Sequence, residues 1–181
     1  MNLRKTTEAD IKTVLSIHKK AFGENKGPEI ADLVDGLLHD QTAMPLLSLI
    51  AFDNSKAVGH ILYTKARLNQ AKEGVSIQIL APLAVLPEAQ SEGIGGQLII
   101  EGLRLLKKAG VQLVFVLGHP GYYPKYGFKP AGELGYEAPY PIPEEHAGAW
   151  MVQKLCSGEI ERGGGKVQCS AVLDQPQHWR E

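Results

Sequence analysis

The chain has 181 residues, of which 44% are hydrophobic and 22% are charged, with a formal net charge of -1. This length fits one domain and a small appendage. It shows no basic run typical of a nucleic-acid surface, no apolar run near the ~20 residues that span a membrane, and no signal peptide. Cys156 and Cys169 fit neither a metal pattern nor a disulfide framework. We therefore expect a cytoplasmic protein without a bound metal, which binds neither nucleic acid nor a membrane.

The first third of the chain predicts two helices and a hairpin. Residues 7–22 have a helical apolar stripe, which Thr7 and Asp10 can cap. Gly23 and Gly27 then break the chain, and Pro28 suits the first turn of a second helix. Two short apolar runs, 46–52 and 57–63, flank a polar turn, which is the pattern of two antiparallel strands.

The rest of the chain predicts mostly strands around one helix. Residues 75–85 form a strand that Pro82 interrupts or bulges, 97–109 a helix, and 111–117 a strand buried on both faces. Residues 131–147 read as a surface loop, and 150–155 and 166–173 as late strands. This order indicates an α+β fold with one parallel strand–helix–strand unit.

The most informative segment is Gln90-Ser91-Glu92-Gly93-Ile94-Gly95-Gly96, which leads from a strand into a helix. Its glycines let the backbone approach a ligand closely, and its amides can converge on an anion beside the positive end of the helix. A pyrophosphate is the expected ligand. A plain tight turn or a nucleotide loop are the alternatives. However, the Gly-Lys-Ser/Thr sequence of a P-loop is missing, and Leu98 replaces the third glycine of a dinucleotide fingerprint.

Gln90-x-x-Gly93-x-Gly95 resembles the acetyl-coenzyme A signature of the GCN5-related N-acetyltransferase (GNAT) family. Leu83-Ala84-Val85-Leu86-Pro87 before it resembles the fourth strand of that family. Residues 123–128, Tyr-Pro-Lys-Tyr-Gly-Phe, resemble its Tyr-x-x-x-Gly-Phe element. The run from 118 to 124 is further similar to the YhbS-like branch of predicted acetyltransferases.

The resemblance implies an α+β fold with a central mixed, largely antiparallel sheet, flanked by helices and splayed between strands 4 and 5. It implies a GNAT domain over 1–155, followed by an extension over 156–181 whose single strand packs on the domain or on a partner subunit. The implied activity is transfer of an acetyl group from acetyl-coenzyme A to an amine of a small molecule or protein. A non-catalytic acyl-coenzyme A binding or sensor module is the alternative, and the late strands could pair in a homodimer.

The resemblance also assigns site residues. The backbone of strand 4 would pair with the pantetheine arm, Gln90 would brace the loop, and the loop amides would hold the pyrophosphate. The cofactor-binding residues are then Leu83, Ala84, Val85, Gln90, Ser91, Glu92, Gly93, Ile94, Gly95 and Gly96.

Tyr123 is the predicted catalytic residue, donating a proton to the leaving thiolate, because a tyrosine stays protonated at neutral pH. No general base is evident. His60, His119 and His146 are candidates because histidine titrates near neutrality. Acidic side chains of the first two helices could line an acceptor pocket, namely Glu24, Glu29 and Asp32.

Overall fold

The computed structural model describes residues 1–69, 75–162 and 164–180. Two long helices are α1 (Ile11–Leu38) and α2 (Ile94–Lys108). The strands are β1 (Asn2–Lys5), β2 (Leu47–Asp53), β3 (Lys56–Leu68), β4 (Ile77–Val85), β5 (Leu113–Leu117), β6 (Lys129–Pro130), β7 (Tyr136–Glu137), β8 (Trp150–Lys154) and β9 (Gly165–Gln168).

These strands form one sheet in the order β1-β2-β3-β4-β5-β8-β6, and β9 pairs with β3 and β7. All main pairings are antiparallel except β4 with β5, which α2 connects. Gly59 of β3 faces Ile94 and Leu98 of α2, whereas the next residue, His60, contacts His18 of α1. Because successive side chains point to opposite faces of a strand, the two helices cover opposite faces of the sheet. The predicted α+β fold is confirmed.

The sheet opens between β4 and β5. The two strands pair only from Ile77 with Leu113 to Leu80 with Val116. Pro82 lies two residues after Leu80 and has no N–H to donate to a ladder, and the register between β3 and β4 shifts between Ile61 and Tyr63. Residues 81–85 of β4 therefore have β3 on one side and no partner from β5 on the other. β4 continues through Pro82 with a bulge against β3, so of the two predicted alternatives the bulge is confirmed, and the predicted splay is confirmed as well.

The two predicted N-terminal helices lie in one kinked element. Gly23 has φ 81° and ψ -178°, which no residue within a regular helix adopts, so α1 changes direction there. Helix-forming stretches precede and follow this glycine, as the sequence predicts. Upstream, Thr7 N donates to Asp10 Oδ2 at 2.8 Å, which is one half of the predicted capping box.

Several elements differ from the sequence prediction. β1 was not predicted, because a short polar edge strand has no apolar pattern; it exists through pairing with β2. α2 begins three residues earlier than predicted and includes Gly95 and Gly96 in its first turn. β9 ends at Gln168 rather than 173, because the chain turns back at 171–173. The predicted loop 131–147 contains β7.

The C-terminal extension lies on the domain of the same chain. Val172 N donates to Asp40 Oδ2 at 2.9 Å, and Ala171 N donates to Thr42 Oγ1 at 2.8 Å. Trp179 is 2% exposed, packs edge-on against Trp150 with ring centroids 5.7 Å apart, and donates from Nε1 to the Leu173 carbonyl. These contacts fix the path of the chain up to the last described residue.

Removing the Asp40 carboxylate should loosen this extension. Asp40→Ala leaves the Val172 amide without its acceptor, at a cost of about 1–3 kcal/mol. Hydrogen exchange should therefore accelerate over residues 170–180 and stay unchanged in β3 and β4. Asp53→Ala, in the exposed hairpin turn, is the matched control. Equal exchange in wild type and Asp40→Ala would contradict the anchoring role.

The same anchor should respond to acid. Burial tends to raise the pKa of Asp40, but hydrogen bonds from Thr42 and Val172 outweigh it and the pKa is lowered. A carboxyl with a lowered folded-state pKa stabilises the fold above its unfolded value of ~3.9, and that contribution is lost as the pH falls through the folded value. Protection of residues 170–180 should therefore weaken below about pH 4 in wild type and change little in Asp40→Ala.

Candidate functional site

The loop before α2 has the backbone shape of an anion-binding nest. Ser91 has φ 68° and Gly93 has φ 82°, both left-handed. Gly93 is the N-cap of α2, and its carbonyl accepts the first helical bond, from Gln97 N at 3.1 Å. A left-handed residue next to a right-handed one, as Gly93 next to the helical Ile94, turns successive N–H groups towards a common point. Glycine adopts this conformation without strain, which explains its presence at 93.

The amides of this loop lack protein acceptors. Gln90 N donates to the Pro87 carbonyl at 3.4 Å, but none of the amides from 91 to 96 donates to another group in the described parts of the chain. The first amides of a helix have no partner within the helix and carry its positive dipole end. This cluster of donors suits a diphosphate, and no lysine is needed to explain it.

Gln90 connects the loop to β4. Its side-chain Nε2 donates to the Val85 carbonyl at 3.0 Å, which matches the predicted bracing contact. Leu86 N donates to Val58 O on β3 at 2.8 Å. Because backbone groups alternate in direction along a strand, those of Val85 and Leu83 face the edge from which β5 has diverged. An extended ligand can lie along that edge as an additional strand.

The loop before α2 and the exposed edge of β4 line one groove of about 560 Å³. Predicted residues that line it are Leu83, Val85, Gln90, Ser91, Gly93, Ile94 and Gly95. Ala84, Glu92 and Gly96 do not line it; the side chain of Ala84 is buried on the α1 face beside His60. Whether these residues hold a cofactor stays a prediction.

Sequence reasoning did not assign four residues to this groove: Ala89, Tyr122, Lys125 and Tyr126. The Tyr122 hydroxyl oxygen lies 2.6 Å from where a β-carbon on Gly95 would be, and the Tyr126 hydroxyl packs equally closely on Gly96. Lys125 Nζ lies 4.8 Å from the centroid of the Tyr122 ring. The sequence signal for the last two was the interior of the Tyr-x-x-x-Gly-Phe element, which contains this lysine and Tyr126.

Tyr123, the predicted proton donor, lies behind Tyr122. Its ring is buried between Tyr122 and Phe128, with centroids 5.2 and 5.7 Å away. Its hydroxyl donates to no described residue, although it is not enclosed by protein. Burial raises the pKa of Tyr123, so the phenol keeps its proton at neutral pH. Tyr122 also has a raised pKa, through burial and then a hydrogen bond with Tyr126.

A second cavity of about 660 Å³ lies where the chain leaves β5. Its walls include residues of α1, the segment after β5 and the C-terminal extension, among them Lys26, Glu29, Gly118, His119, His146 and Arg180. Any side chain on Gly118 would collide with the Tyr123 ring. The tyrosine pair 122–123 therefore lies between this cavity and the groove. Of the predicted acidic wall residues, Glu29 lines the cavity, whereas Glu24 and Asp32 do not.

The three candidate histidines have different environments. His60 is fully buried; its Nε2 and Ser48 Oγ are 2.7 Å apart, as are its Nδ1 and His18 Nε2. Burial lowers the pKa of both histidines, that of His18 to about 3, so both are neutral and serve the core. His119 and His146 instead line the second cavity together.

His119 is held in one tautomer. Its Nδ1 accepts a hydrogen bond from Gly121 N at 3.0 Å, so the neutral ring carries its proton on Nε2. It therefore presents a donor to a ligand rather than a basic nitrogen. Among the described residues, no group of three or more His, Cys, Asp or Glu side chains is arranged to hold a metal ion. No described helix is long and apolar enough to cross a membrane.

The chain matches a family of known activity. The family model of the acetyltransferase (GNAT) domain matches residues 2–131. The uncharacterized N-acetyltransferase YjhQ of Escherichia coli K12 is 50% identical over 166 residues, which are 91% of this chain and 90% of that protein. The uncharacterized N-acetyltransferase YhbS of the same organism is 28% identical over 137 residues, 73% of this chain and 78% of that one.

Solved structures agree with this match. The GNAT family N-acetyltransferase YhbS from Escherichia coli, in complex with CoA, has a TM-score of 0.81 at 22% identity, and the alignment covers 96% of this chain and 92% of that one. A GNAT family acetyltransferase from Brucella melitensis, in complex with acetyl-CoA, has a TM-score of 0.73 at 28% identity, with 96% and 97% covered. The chain belongs to the GNAT family of acetyltransferases, so the family and the enzyme class expected from the sequence are confirmed.

The variant Gly95→Ala, which adds one methyl group, tests whether coenzyme A binds at the loop before α2. In Gly95→Ala the new β-carbon would lie 2.6 Å from the Tyr122 hydroxyl, so the helix start and the tyrosine must separate. Such overpacking costs about 1–3 kcal/mol, and we expect coenzyme A to bind about tenfold more weakly by calorimetry. Gly132→Ala is the control, because nothing lies within 4 Å of its β-carbon position. Unchanged affinity in Gly95→Ala would contradict the assigned groove.

Proposed function

We propose that this enzyme binds acetyl-coenzyme A in the groove of β4 and α2 and transfers its acetyl group to a primary amine. The observation that carries this proposal is the row of amides at 91–96 that have no acceptor among the described residues, beside the edge of β4 from which β5 has diverged. The Brucella melitensis structure supports it, because that 28% identical relative was solved with acetyl-CoA.

The proposed reaction has a definite proton balance. A lysine-like ammonium has a pKa of ~10.4, so exposing its lone pair at pH 7 costs about 4–5 kcal/mol. The neutral amine then attacks the thioester carbonyl carbon, a C–N bond forms and the C–S bond breaks. The amine releases two protons in all; the departing thiolate takes up one and the other passes to solvent. The products are the acetylated amine, coenzyme A and one proton.

The hydroxyl of Tyr123 or Tyr122 would donate the proton to the sulfur of the leaving coenzyme A thiolate. Tyr123 remains our candidate because its phenol is protonated and makes no bond to a described residue. Tyr122 is the second candidate, since it lines the groove while Tyr123 does not. For the first proton transfer, His146 fits better than His119, whose Nδ1 is already engaged by a backbone amide.

Three finer expectations belong to the same proposal. The unpaired cysteines Cys156 and Cys169 support a cytoplasmic location, because a reducing compartment keeps thiols free. A homodimer would form through the late strands. The acceptor would be a small molecule or a protein amine. A non-catalytic sensor module is the competing function; it would bind the acyl donor and never turn it over.

Matched tyrosine variants test the catalytic assignment. Tyr123→Phe should lower kcat roughly 100-fold, because the thiolate would leave without its proton donor, and should leave coenzyme A affinity within about twofold. The measurement is thiol release from acetyl-coenzyme A with an amine panel, beside calorimetric titration.

Tyr122→Phe distinguishes the two phenols. If Tyr122 only lines the wall, this variant keeps a kcat close to wild type. If Tyr123→Phe keeps the wild-type kcat and Tyr122→Phe loses it, then Tyr122 and not Tyr123 is the proton donor to the thiolate. Saturable binding without turnover on any amine in wild type would favour the sensor.

A further inference from the structure

A chain of aromatic contacts connects the wall of the second cavity to the cofactor groove. Gly118, on its wall, touches Tyr123; Tyr123 packs edge-on against Tyr122; and Tyr122 lines the groove. Gly118 also follows directly on β5, the strand whose divergence from β4 opens the sheet. A molecule in this cavity can therefore approach the thioester from the side opposite to the pyrophosphate loop.

We infer that this cavity selects a small amine that also bears an anionic group, a carboxylate or a phosphate. In this inference, Arg180 binds the anion and Glu29 faces the ammonium. It rests on the proposed function, because it identifies the acceptor of that reaction. The cavity volume of about 660 Å³ lies within the roughly 300–1,000 Å³ typical of small-molecule sites.

Arg180 is the side chain best placed to bind an anion. It lines the cavity, is exposed, and makes no ion pair with a described residue. Its backbone is nevertheless fixed, because the neighbouring Trp179 is buried against Trp150. A guanidinium presents paired donors that match a carboxylate or phosphate. The Arg180 guanidinium, which has no ion pair with a described residue and lies on a segment anchored by Trp179, is therefore suited to anion recognition.

Glu29 supplies the opposite charge on the facing helix. It lines the same cavity from α1 and lies close enough to His178 to act on it: burial lowers the pKa of His178, and the Glu29 carboxylate opposes that shift. Among the described wall residues, Glu29 supplies the one carboxylate, whereas Lys26 and Arg180 are cationic and His119 presents its Nε2–H as a donor. A ligand with both charges complements such walls better than a polyamine, whose positive charges would repel the cations.

An acceptor panel with matched charges tests this inference. The anionic amines are β-alanine and O-phosphoethanolamine, which separate carboxylate from phosphate; ethanolamine and putrescine are their neutral-tailed and cationic counterparts. Thiol release should show kcat/KM at least about tenfold higher for one or both anionic amines. Arg180→Gln should raise KM for that amine about 10- to 100-fold and leave ethanolamine unchanged.

Two exposed positions outside the cavity provide control variants that change the net charge as Arg180→Gln and Glu29→Gln do. Arg104→Gln removes a cation from the outer face of α2, where Arg104 pairs with Glu101, and should not alter the preference. Glu29→Gln should raise KM for all amines in the panel, whereas Glu24→Gln, which lies on α1 outside the cavity walls, should not. Equal effects in each pair would mean that overall charge, and not the cavity, sets the preference, and would overturn the inference.

The remaining outcomes separate this inference from the proposed function. If ethanolamine or putrescine is acetylated as well as the anionic amines, the enzyme assignment stands and the inference is wrong. If no amine releases thiol, the proposed function fails. Calorimetry with the coenzyme A-saturated protein then decides: saturable binding of O-phosphoethanolamine or β-alanine that Arg180→Gln abolishes supports the cavity assignment, and absence of such binding overturns it.

Discussion

The site depends on backbone amides for which the described part of the chain provides no acceptors. Those of residues 91–96 converge at the start of α2, and buried or semi-enclosed N–H groups are stable only when something accepts their hydrogen bonds. Their convergence depends on the left-handed backbone at Ser91 and Gly93 and on the contact from Gln90 to the Val85 carbonyl. Because the donors belong to the main chain, their position is set by the fold and not by a mobile side chain.

The opening of the sheet between β4 and β5 places a strand edge beside these amide donors. Pro82 ends the pairing of β4 with β5, so the strand edge and the helix start meet in one groove. Behind that groove the tyrosines at 122 and 123 form a thin wall, and beyond it the C-terminal extension closes the second cavity. The extension reaches this place because Asp40 and Thr42 hold its turn and Trp179 packs under Trp150. In the proposed reaction, the groove would hold the acetyl donor and the second cavity the acceptor.

The sequence predicted those features that depend on local patterns. The glycines at 93 and 95 and the Tyr-x-x-x-Gly-Phe element are local motifs, so the loop and the family could be inferred without coordinates. The resemblance to that family then implied the splay, and Pro82 predicted the irregularity within β4. Features that depend on contacts between residues far apart in the sequence could not be predicted. β1 forms only by pairing with β2, His60 is neutral only because His18 and Ser48 enclose it, and Arg180 reaches the cavity only through the packing of Trp179. The same holds for Lys125, whose place in the groove depends on the tyrosine wall.

The central claim is that main-chain amides bind the diphosphate, and backbone NMR observes them directly. Titration of the ¹⁵N-labelled protein with coenzyme A should shift the amide signals of Gly93, Gly95 and Gly96 and slow their hydrogen exchange, because each N–H gains an acceptor. The amide of Gln90, already bonded to the Pro87 carbonyl, should exchange as before. Saturable binding that leaves the three glycine amides unshifted and unprotected would contradict the account.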